Sequence, residues 1–314
     1  MRYPIFTILY LFLILFSGCG QKSDIQVYDL RCENLKEPVG IDKTEPRLSW
    51  KIRSVTNGTR QTAYQILAAS DPALLREGRT DLWDSGKRAS SDAVLVPYRG
   101  EKLSSGSVVY WKVRVYNEKD EASAWSPESS FVVGLTEESD WQGSYIGYNI
   151  DAGYTQCPQL YRSFEVDDKD SRYFLYVNSL GYHELYLNGS KVGMGVLTPA
   201  VSQYGKRSLV NTYELTGLLE KGKNDLMIWL GSGWYTEGLF DVVKTGPLVR
   251  AQLGKVSSKN VRETLLVTDK SWSGRLSSYS RTGSWKPHHF GGEIVDGSLA
   301  KSDLSVESTA GRSW

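Results

Sequence analysis

The residues best suited to chemistry in this chain are aromatic and lie beside glycine. Trp234 and Tyr235 follow a glycine-flanked turn, where side chains are less constrained by packing. Pyranose rings stack an apolar face on Trp or Tyr, and their hydroxyl groups need short polar side chains nearby. Glu184, Asn188 and Glu293 are the candidates for those polar side chains. This set of residue types predicts a carbohydrate-binding surface.

The same residues also have a structural interpretation. Trp234 can fill the core beneath a glycine-rich turn, and Glu293 can make an ordinary structural contact. Packing is the commoner role for a large aromatic side chain in a β-rich protein. The sequence alone therefore leaves binding and packing open.

Other kinds of catalytic or metal site find little support. Adjacent residues on a strand point to opposite faces, so His288 and His289 are poorly placed to share a metal ion. No Cys/His spacing matches a zinc site. No helical pattern follows Ser232, which argues against a nucleophile elbow, and no phosphate-binding fingerprint is present. We predict no cofactor, although oxygen-rich loops leave calcium open without identifying a site.

Composition and charge narrow the function further. The 314 residues include 37 basic and 36 acidic side chains, which gives a net charge of +1. Without a basic run, this balance gives no support for nucleic acid as a partner. Ten Trp and nineteen Tyr against eight Phe are typical of β-sheet packing and of wet ligand surfaces.

Period-two patterning predicts an all-β chain. Leu48, Trp50 and Ile52 alternate with polar residues, and apolar residues alternate again through 109–115. Half-buried strands show this pattern. Asp71 followed by Pro is a helix cap with Pro at the first helical position, which predicts one or two helical turns. No long amphipathic helix is evident.

The strand pattern divides into two domains. Residues 28–135 fit about seven short strands and resemble a fibronectin type III sandwich. Residues 140–305 contain the strongest hairpin signal, Asn188-Gly189, because both turn residues need positive φ. A jelly-roll β-sandwich is the economical architecture for this second domain. Trp141 lies in the junction, where we expect it to pack between the domains.

One predicted strand of the second domain has two distinct faces. Leu226, Ile228 and Leu230 occupy one face. The opposite face carries Asp225, Met227 and Trp229. This alternation is typical of a strand with one side in the core.

The N-terminus is predicted to be a targeting segment. A basic start at Arg2 precedes an apolar run through 5–16, which is too short to span a bilayer comfortably. Small residues follow, as a cleavage site requires. Phe-Ser-Gly-Cys resembles a bacterial lipobox, so residues 1–19 are predicted to be a lipoprotein signal peptide with lipid attached to Cys19. An ordinary secretory signal is the alternative, and both predict export.

This targeting segment sets the expected location of the protein. Lipid on the cysteine predicts anchoring to the bacterial outer membrane, on its periplasmic side or at the cell surface. Residues 20–27 are then a polar tether, and 306–314 form a short tail. Cys32 and Cys157 could pair in an oxidising compartment. They lie in different domains, however, and we favour two unpaired residues.

Several short motifs occur in order through the second domain. They are Leu180-Gly181-Tyr182 with Glu184 to Gly189, Tyr204 with Lys206-Arg207, Gly222-Lys223-Asn224, Leu230-Gly231 with Gly233-Trp234-Tyr235, and Gly291-Gly292-Glu293 with Asp296. With the sandwich ahead of them, they resemble the N-terminal part of the bacterial α-L-rhamnosidases, glycoside hydrolase family 78. The resemblance covers nearly all of the chain after the targeting segment.

Two departures from the family pattern bear on ligand binding. Where the family commonly has Ala-Pro-Gly-Trp-Thr, residues 198–202 read Thr-Pro-Ala-Val-Ser and lack the aromatic side chain. Ser232 stands where the family usually has Asp between the two glycines of its Gly-Trp-Tyr loop. If that carboxylate contacts sugar or metal in the family, the contact is lost here.

The resemblance also implies a function. The family removes terminal α-L-rhamnose from glycans and plant glycosides with inversion, using two carboxylates in a separate (α/α)6 barrel. The residues after Gly291 are too few to build that barrel, so we expect this chain alone to lack glycosidase activity and its full-length parent to carry the catalytic domain. Recognition and positioning of a rhamnose-containing glycan or glycoside would be its task. The alternatives are a self-standing cell-surface carbohydrate-binding lipoprotein and a structural spacer.

Overall fold

The computed structural model describes residues 23–148, 156–235, 246–257, 260–282 and 291–300. Strands dominate these segments and the helices are short, which confirms the all-β prediction. The predicted signal peptide with Cys19, the start of the tether and the tail 306–314 lie outside the described residues. Within the described segments, no helix is both long and apolar enough to cross a membrane.

The first domain is a two-sheet sandwich. Its strands are β1 (Gln26–Cys32), β2 (Val39–Ile41), β3 (Arg47–Arg53), β4 (Ala63–Ala69), β5 (Trp83–Asp84), β6 (Arg88–Ala89), β7 (Val96–Pro97), β8 (Val108–Tyr116) and β9 (Ser129–Val133). One sheet has the order β1-β3-β7, and the other has the order β2-β9-β8-β4-β5, with β6 also pairing with β4.

The predicted alternation builds the core of this sandwich. Leu48 and Trp50 on β3 face Trp111 and Val113 on β8, and none of the four is more than 2% exposed. Side chains of opposite parity leave the core, because successive residues of a strand point to opposite faces. Cys32 is also buried here, and burial raises the pKa of its thiol to about 12.

A single helical turn, α1 (Pro72–Arg76), covers the outside of the six-stranded sheet of the first domain. The Asp71 carboxylate accepts a hydrogen bond from the Ala73 amide at 2.8 Å, and Pro72 occupies the first helical position. Leu75 is fully buried against β4. The sequence prediction of a capped short helix is confirmed.

The second domain is a larger sandwich. Its strands are β10 (Gln156–Val166), β11 (Arg172–Leu180), β12 (Tyr182–Leu187), β13 (Ser190–Val192), β14 (Val210–Glu214), β15 (Gly222–Gly231), β16 (Leu248–Val256), β17 (Arg262–Val267), β18 (Ser273–Thr282) and β19 (Gly292–Val295), followed by the short helix α2 (Gly297–Ala300). A six-stranded sheet, β13-β12-β15-β10-β18-β19, packs on a four-stranded sheet, β14-β11-β16-β17.

The hairpin and the two-faced strand follow the sequence. Asn188 and Gly189 both have positive φ, 49° and 78°, and they connect β12 to β13 as predicted. On β15, Ile228 is fully buried in the core. Trp229 points the other way, toward what we call the outer face, the side of the six-stranded sheet that faces away from the core.

The two domains meet through an apolar cluster. Val108 and Val132 of the first domain pack with Phe174 and Tyr176 of β11. Trp141 packs against this cluster, as expected from its place in the junction, and the guanidinium of Arg250 lies 4.9 Å from the centre of its ring. The four-stranded sheet of the second domain therefore faces the first domain, and the outer face lies on the opposite side of the sandwich.

Candidate carbohydrate-binding site

A depression of about 360 Å³ lies on the outer face of the second domain. Five neighbouring strands contribute to it in the order of the sheet. Its lining includes Glu184 from β12, Trp229 from β15, Cys157 from β10, Tyr279 from β18 and Glu293 from β19. The volume falls within the range of small-molecule pockets, roughly 300–1,000 Å³.

Strand register explains how these side chains meet. Glu184 is directly opposite Trp229 across the β12–β15 ladder, and such opposite residues share one face of the sheet. Tyr182 and Tyr186 alternate with Glu184 along β12 and also line the depression. A segment that reads Tyr-His-Glu-Leu-Tyr thus places two tyrosines and a carboxylate on one side of the sheet.

The aromatic rings meet mainly by their edges. The rings of Trp229 and Tyr279 are 5.4 Å apart at 72°. The rings of Tyr186 and Trp229 are 6.1 Å apart at 47°. Edge-to-face contacts fix the orientation of each ring without covering both of its faces. The depression therefore combines rigid aromatic walls with a carboxylate at the register position of the central tryptophan.

The carboxylate of Glu184 is held ionised by two donors. Tyr186 donates its hydroxyl to Oε2 at 2.9 Å, and the Lys191 ammonium pairs with Oε1. Burial works to raise the pKa of Glu184, but these hydrogen bonds outweigh burial and lower it. Burial, together with the bond to Glu184, raises the pKa of Tyr186 to about 12. Near neutral pH the Glu184 carboxylate is therefore ionised, paired with Lys191, and still able to accept further hydrogen bonds.

His183 anchors β12 from the core side. Its Nδ1 lies 2.7 Å from the Ser179 hydroxyl, and its Nε2 lies 2.9 Å from the Tyr213 hydroxyl. Because it is only 3% exposed, burial lowers its pKa to about 4. The imidazole is neutral at physiological pH and ties the six-stranded sheet to β14 of the opposite sheet.

The far end of the depression is formed by Cys157 and Glu293. Burial, then the nearby Glu293 carboxylate, raise the pKa of the Cys157 thiol to about 11. The thiol is therefore protonated and unreactive near neutral pH. Among the described residues, Cys157 and Cys32 are both free of disulfide bonds.

The structure brings some of the predicted ligand residues together. Glu184 and Glu293 both line the depression. Asn188 does not line it: at the tip of the β12–β13 hairpin, its side-chain amide donates to Asn224 at 3.0 Å and its oxygen accepts from the Asp225 amide at 2.8 Å. Those bonds give Asn188 a role in closing the turn.

The Gly-Trp-Tyr loop is arranged differently from the expected aromatic display. Tyr235 is only 6% exposed and packs edge-on against Tyr204, with ring centres 5.2 Å apart. Trp234 is half-buried and has partners of its own, and it does not line the depression. Whether either residue contacts a ligand stays a prediction.

Sequence reasoning missed Trp229, Tyr186 and Tyr279 as site residues. A signal existed for two of them, because the alternation that buries Leu226 and Ile228 also places Trp229 on the opposite face. Tyr186 likewise shares parity with Glu184. Nothing local identified Tyr279, because β18 reaches the site by pairing with β10, which lies far away in sequence.

Metal-ligand clusters are the other kind of site that the sequence raises. Within the part of the chain that the structure describes, no group of three or more His, Cys, Asp or Glu side chains is placed to hold a metal ion. His288 and His289, which the sequence indicates are poorly placed to share a metal ion, lie outside the described residues. Aromatic walls and a hydrogen-bond acceptor suit a polyhydroxylated ring with an apolar face.

Comparison with known families is consistent with this architecture. Residues 27–137 match the family described as Rha78A-like, N-terminal immunoglobulin domain. Residues 168–314 match the family described as α-L-rhamnosidase N-terminal domain. The chain carries the N-terminal domains of the family 78 α-L-rhamnosidases. The first of these rhamnosidase domains is described as immunoglobulin rather than fibronectin type III, two sandwiches of similar layout.

Individual relatives agree with this assignment. A Formosa agariphila α-L-rhamnosidase is 30% identical over 297 residues, which is 90% of this chain and 31% of that protein. An Alteromonas sp. α-L-rhamnosidase is 32% identical over 297 residues, 90% of this chain and 32% of that protein. The chain thus spans about a third of the length of the curated relatives that it matches.

Solved structures show the same arrangement of the rhamnosidase N-terminal domains. The α-L-rhamnosidase from "Dictyoglumus thermophilum" has a TM-score of 0.75 at 30% identity, covering 87% of this chain and 32% of that chain. The Streptomyces avermitilis enzyme complexed with L-rhamnose has a TM-score of 0.78 at 20% identity, covering 92% and 44%. At that identity the second comparison establishes the fold alone.

Proposed function

We propose that these rhamnosidase N-terminal domains recognise rhamnose-containing carbohydrate and position it for a catalytic domain in a longer protein. The observation that carries the proposal is the depression on the outer face, which Trp229, Tyr186 and Tyr279 line together with the Glu184 carboxylate. The ring of a 6-deoxysugar has an apolar face for the tryptophan and hydroxyls for the carboxylate. The outer face lies on the side of the sandwich away from the first domain, because the opposite sheet packs on that domain.

Two further observations support recognition rather than hydrolysis. Glycoside hydrolysis requires a carboxylic acid whose pKa is raised so that it can protonate the leaving oxygen. The pKa of Glu184 is lowered instead, by its bonds to Lys191 and Tyr186. The relatives named α-L-rhamnosidase extend well beyond the region that this chain matches, which leaves room for a separate catalytic domain in them.

Isothermal titration of the protein with methyl α-L-rhamnopyranoside tests the proposed recognition. We expect saturable binding that Trp229→Ala weakens at least about tenfold, since burial of one large aromatic face contributes ~1.4 kcal/mol or more. Trp125→Ala, on the first domain, is the matched control and should leave affinity unchanged. Titration of Trp234→Ala decides whether the Gly-Trp-Tyr loop shares in binding. A folded protein that binds no rhamnoside would refute recognition and favour the structural spacer.

A separate assay tests whether these domains lack hydrolytic activity of their own. Purified residues 20–314 should release no rhamnose from an aryl α-L-rhamnopyranoside, because the proposal assigns hydrolysis to another domain. Specific release at a rate that scales with protein and is lost in Glu184→Gln would overturn this assignment.

We also propose that the protein is exported and held at the bacterial outer membrane by lipid on Cys19. The support is the apolar run followed by Phe-Ser-Gly-Cys in the sequence. Mass spectrometry of the mature N-terminus should find a diacylglyceryl-modified Cys19, and Cys19→Ser should release the protein from membranes. An unmodified mature N-terminus would support the ordinary secretory signal instead.

A further inference from the structure

Within the described lining of the depression, the charged side chains are both acidic. Its two ionisable carboxyl side chains, Glu184 and Glu293, come from the two ends of the five-strand span. No Lys or Arg belongs to the described lining. The other titratable side chains there, which include Cys157 and His183, carry no positive charge near neutral pH, because burial raises the pKa of the thiol to about 11 and lowers that of the imidazole to about 4.

Two described cations lie near the depression, and neither belongs to its lining. Lys191 lies on the edge strand β13, where its ammonium is paired with Oε1 of Glu184. Arg281 lies opposite Glu293 in the β18–β19 ladder and has partners of its own. Among the described lining residues, a ligand therefore meets carboxylate oxygens and hydroxyls rather than a guanidinium or ammonium group.

This arrangement has a consequence for the class of sugar. Carboxylates accept hydrogen bonds from neutral hydroxyl groups, so a neutral sugar is bound favourably. A uronate or a sulfate ester would bring a further negative charge beside these two carboxylates, where like charges repel. The aromatic walls contribute equally to both kinds of sugar and cannot compensate for this difference.

We propose that the depression selects neutral sugar residues and rejects anionic ones, and that Glu184 and Glu293 carry this selectivity. This inference rests on the proposed carbohydrate recognition and adds the class of ligand. Glycans in which rhamnose is unsubstituted at the contacted hydroxyls would bind, and sulfated or uronate-bearing units would bind more weakly.

The test compares one neutral sugar with its charged derivatives. Methyl α-L-rhamnopyranoside and its 2-, 3- and 4-O-sulfate monoesters are titrated into the protein at low salt and at high salt. We expect each ester to bind at least about tenfold more weakly than the neutral glycoside at low salt, and high salt to narrow this gap by screening.

Conservative variants separate charge from shape. Glu184→Gln with Glu293→Gln keeps the size of both side chains and should bring the esters to within about threefold of the neutral glycoside. Glu101→Gln, an exposed carboxylate of the first domain, makes the same kind of change far from the depression and should alter nothing. Circular dichroism confirms that each variant is folded.

Each outcome is decisive. Esters that bind as tightly as the neutral glycoside would overturn the selectivity while leaving carbohydrate recognition intact. A gap that persists in the double variant and at high salt would assign the rejection to shape and would also overturn it. Failure of the neutral glycoside to bind the wild-type protein would refute the proposed function itself, and the inference with it.

Discussion

Both domains place tryptophan on the outside of a six-stranded sheet, but the two tryptophans have different neighbours. In the first domain, Trp125 lies over β8, with the Arg114 guanidinium 4.7 Å and the Lys112 ammonium 5.3 Å from its ring centre. In the second domain, the described residues place no cation over the ring of Trp229, which meets Tyr279 by an edge. The ring of Trp125 is therefore covered by the protein's own cations, whereas the described neighbours of Trp229 are aromatic and acidic.

The difference follows from the outward side chains of the neighbouring strand. Arg114 and Lys112 alternate along β8 with the core residues Val113 and Trp111, so the strand itself supplies the cover for Trp125. On β12 the corresponding outward positions are Tyr182, Glu184 and Tyr186. These β12 residues carry a carboxylate and hydroxyl groups, so they place hydrogen-bond acceptors rather than cations beside Trp229.

The largest expected loss of stability comes from forcing apart β12 and β15, the two strands that carry Glu184 and Trp229. Gly181 has φ of +113°, and a Cβ there would lie 2.4 Å from the Gly231 carbonyl oxygen. Gly181→Ala should destabilise the second domain by about 3 kcal/mol or more, because the backbone clash adds to the positive-φ penalty. Chemical denaturation measures the loss.

Gly58→Ala is the matched control for that change. Gly58 has a similar positive φ of +82° in the first domain but open space around its Cβ position. It should lose only about 1 kcal/mol of stability. Equal losses for the two variants would show that β12 and β15 are not held at the distance described.

The next largest effect is a difference between the two domains in how acid changes their stability. Residues 23–135 contain no histidine, whereas His183 is buried in the second domain with its pKa lowered to about 4 from 6.5. Between those values the unfolded chain binds a proton that the folded chain does not, so stability is full above pH ~6.5 and falls as the pH drops toward ~4. The loss should reach about 3 kcal/mol.

Denaturant unfolding at a series of pH values measures this loss. His183→Gln should flatten the pH dependence between pH 4 and 6.5, even if it changes stability at neutral pH. An unchanged slope in the variant would show that another group causes the acid sensitivity.

Placing a cation beside Trp229 should give it the kind of neighbour that Trp125 has in the first domain. Glu184→Arg puts a guanidinium opposite Trp229 across the β12–β15 ladder. Rhamnoside affinity should fall by at least about tenfold, because cation–π stacking occupies the ring and the acceptor is lost. Glu184→Gln, which keeps an acceptor there, should retain most of the affinity for the neutral glycoside. Equal affinities in both variants, measured by calorimetry, would contradict the role assigned to the open ring.

The reverse change should have the smallest effect. Arg114→Ala uncovers one side of Trp125 and removes a bond to the Gln65 side chain. We expect a loss of about 1 kcal/mol in stability, typical of a partly exposed cation–π contact, and no gain of rhamnoside binding, because Lys112 still covers the ring. Thermal unfolding and calorimetry together measure both. A gain of binding would show that any uncovered tryptophan suffices.

Much of the fold follows from local sequence. The alternation through β3, β8 and β15, the Asn188-Gly189 hairpin and the helix cap at Asp71 are set by residues within a few positions of one another, and the structure contains them all. Period and turn chemistry are local rules, so a single sequence suffices to apply them.

The site depended on information that local rules do not contain. Tyr279 joins Trp229 only because β18 pairs with β10, and Glu293 joins only because β19 pairs with β18. Tyr235 is buried because Tyr204 packs on it, although both lie in glycine-containing loops. Strand order and loop return are fixed by packing between distant segments, which spacing along the chain does not reveal.

A crystal structure of the protein with methyl α-L-rhamnopyranoside tests the central claim most directly. We expect electron density for the sugar in the outer-face depression, with its apolar face on Trp229 and a hydroxyl donating to Glu184. Density at the Gly-Trp-Tyr loop instead, or an empty depression at saturating glycoside, would contradict the account.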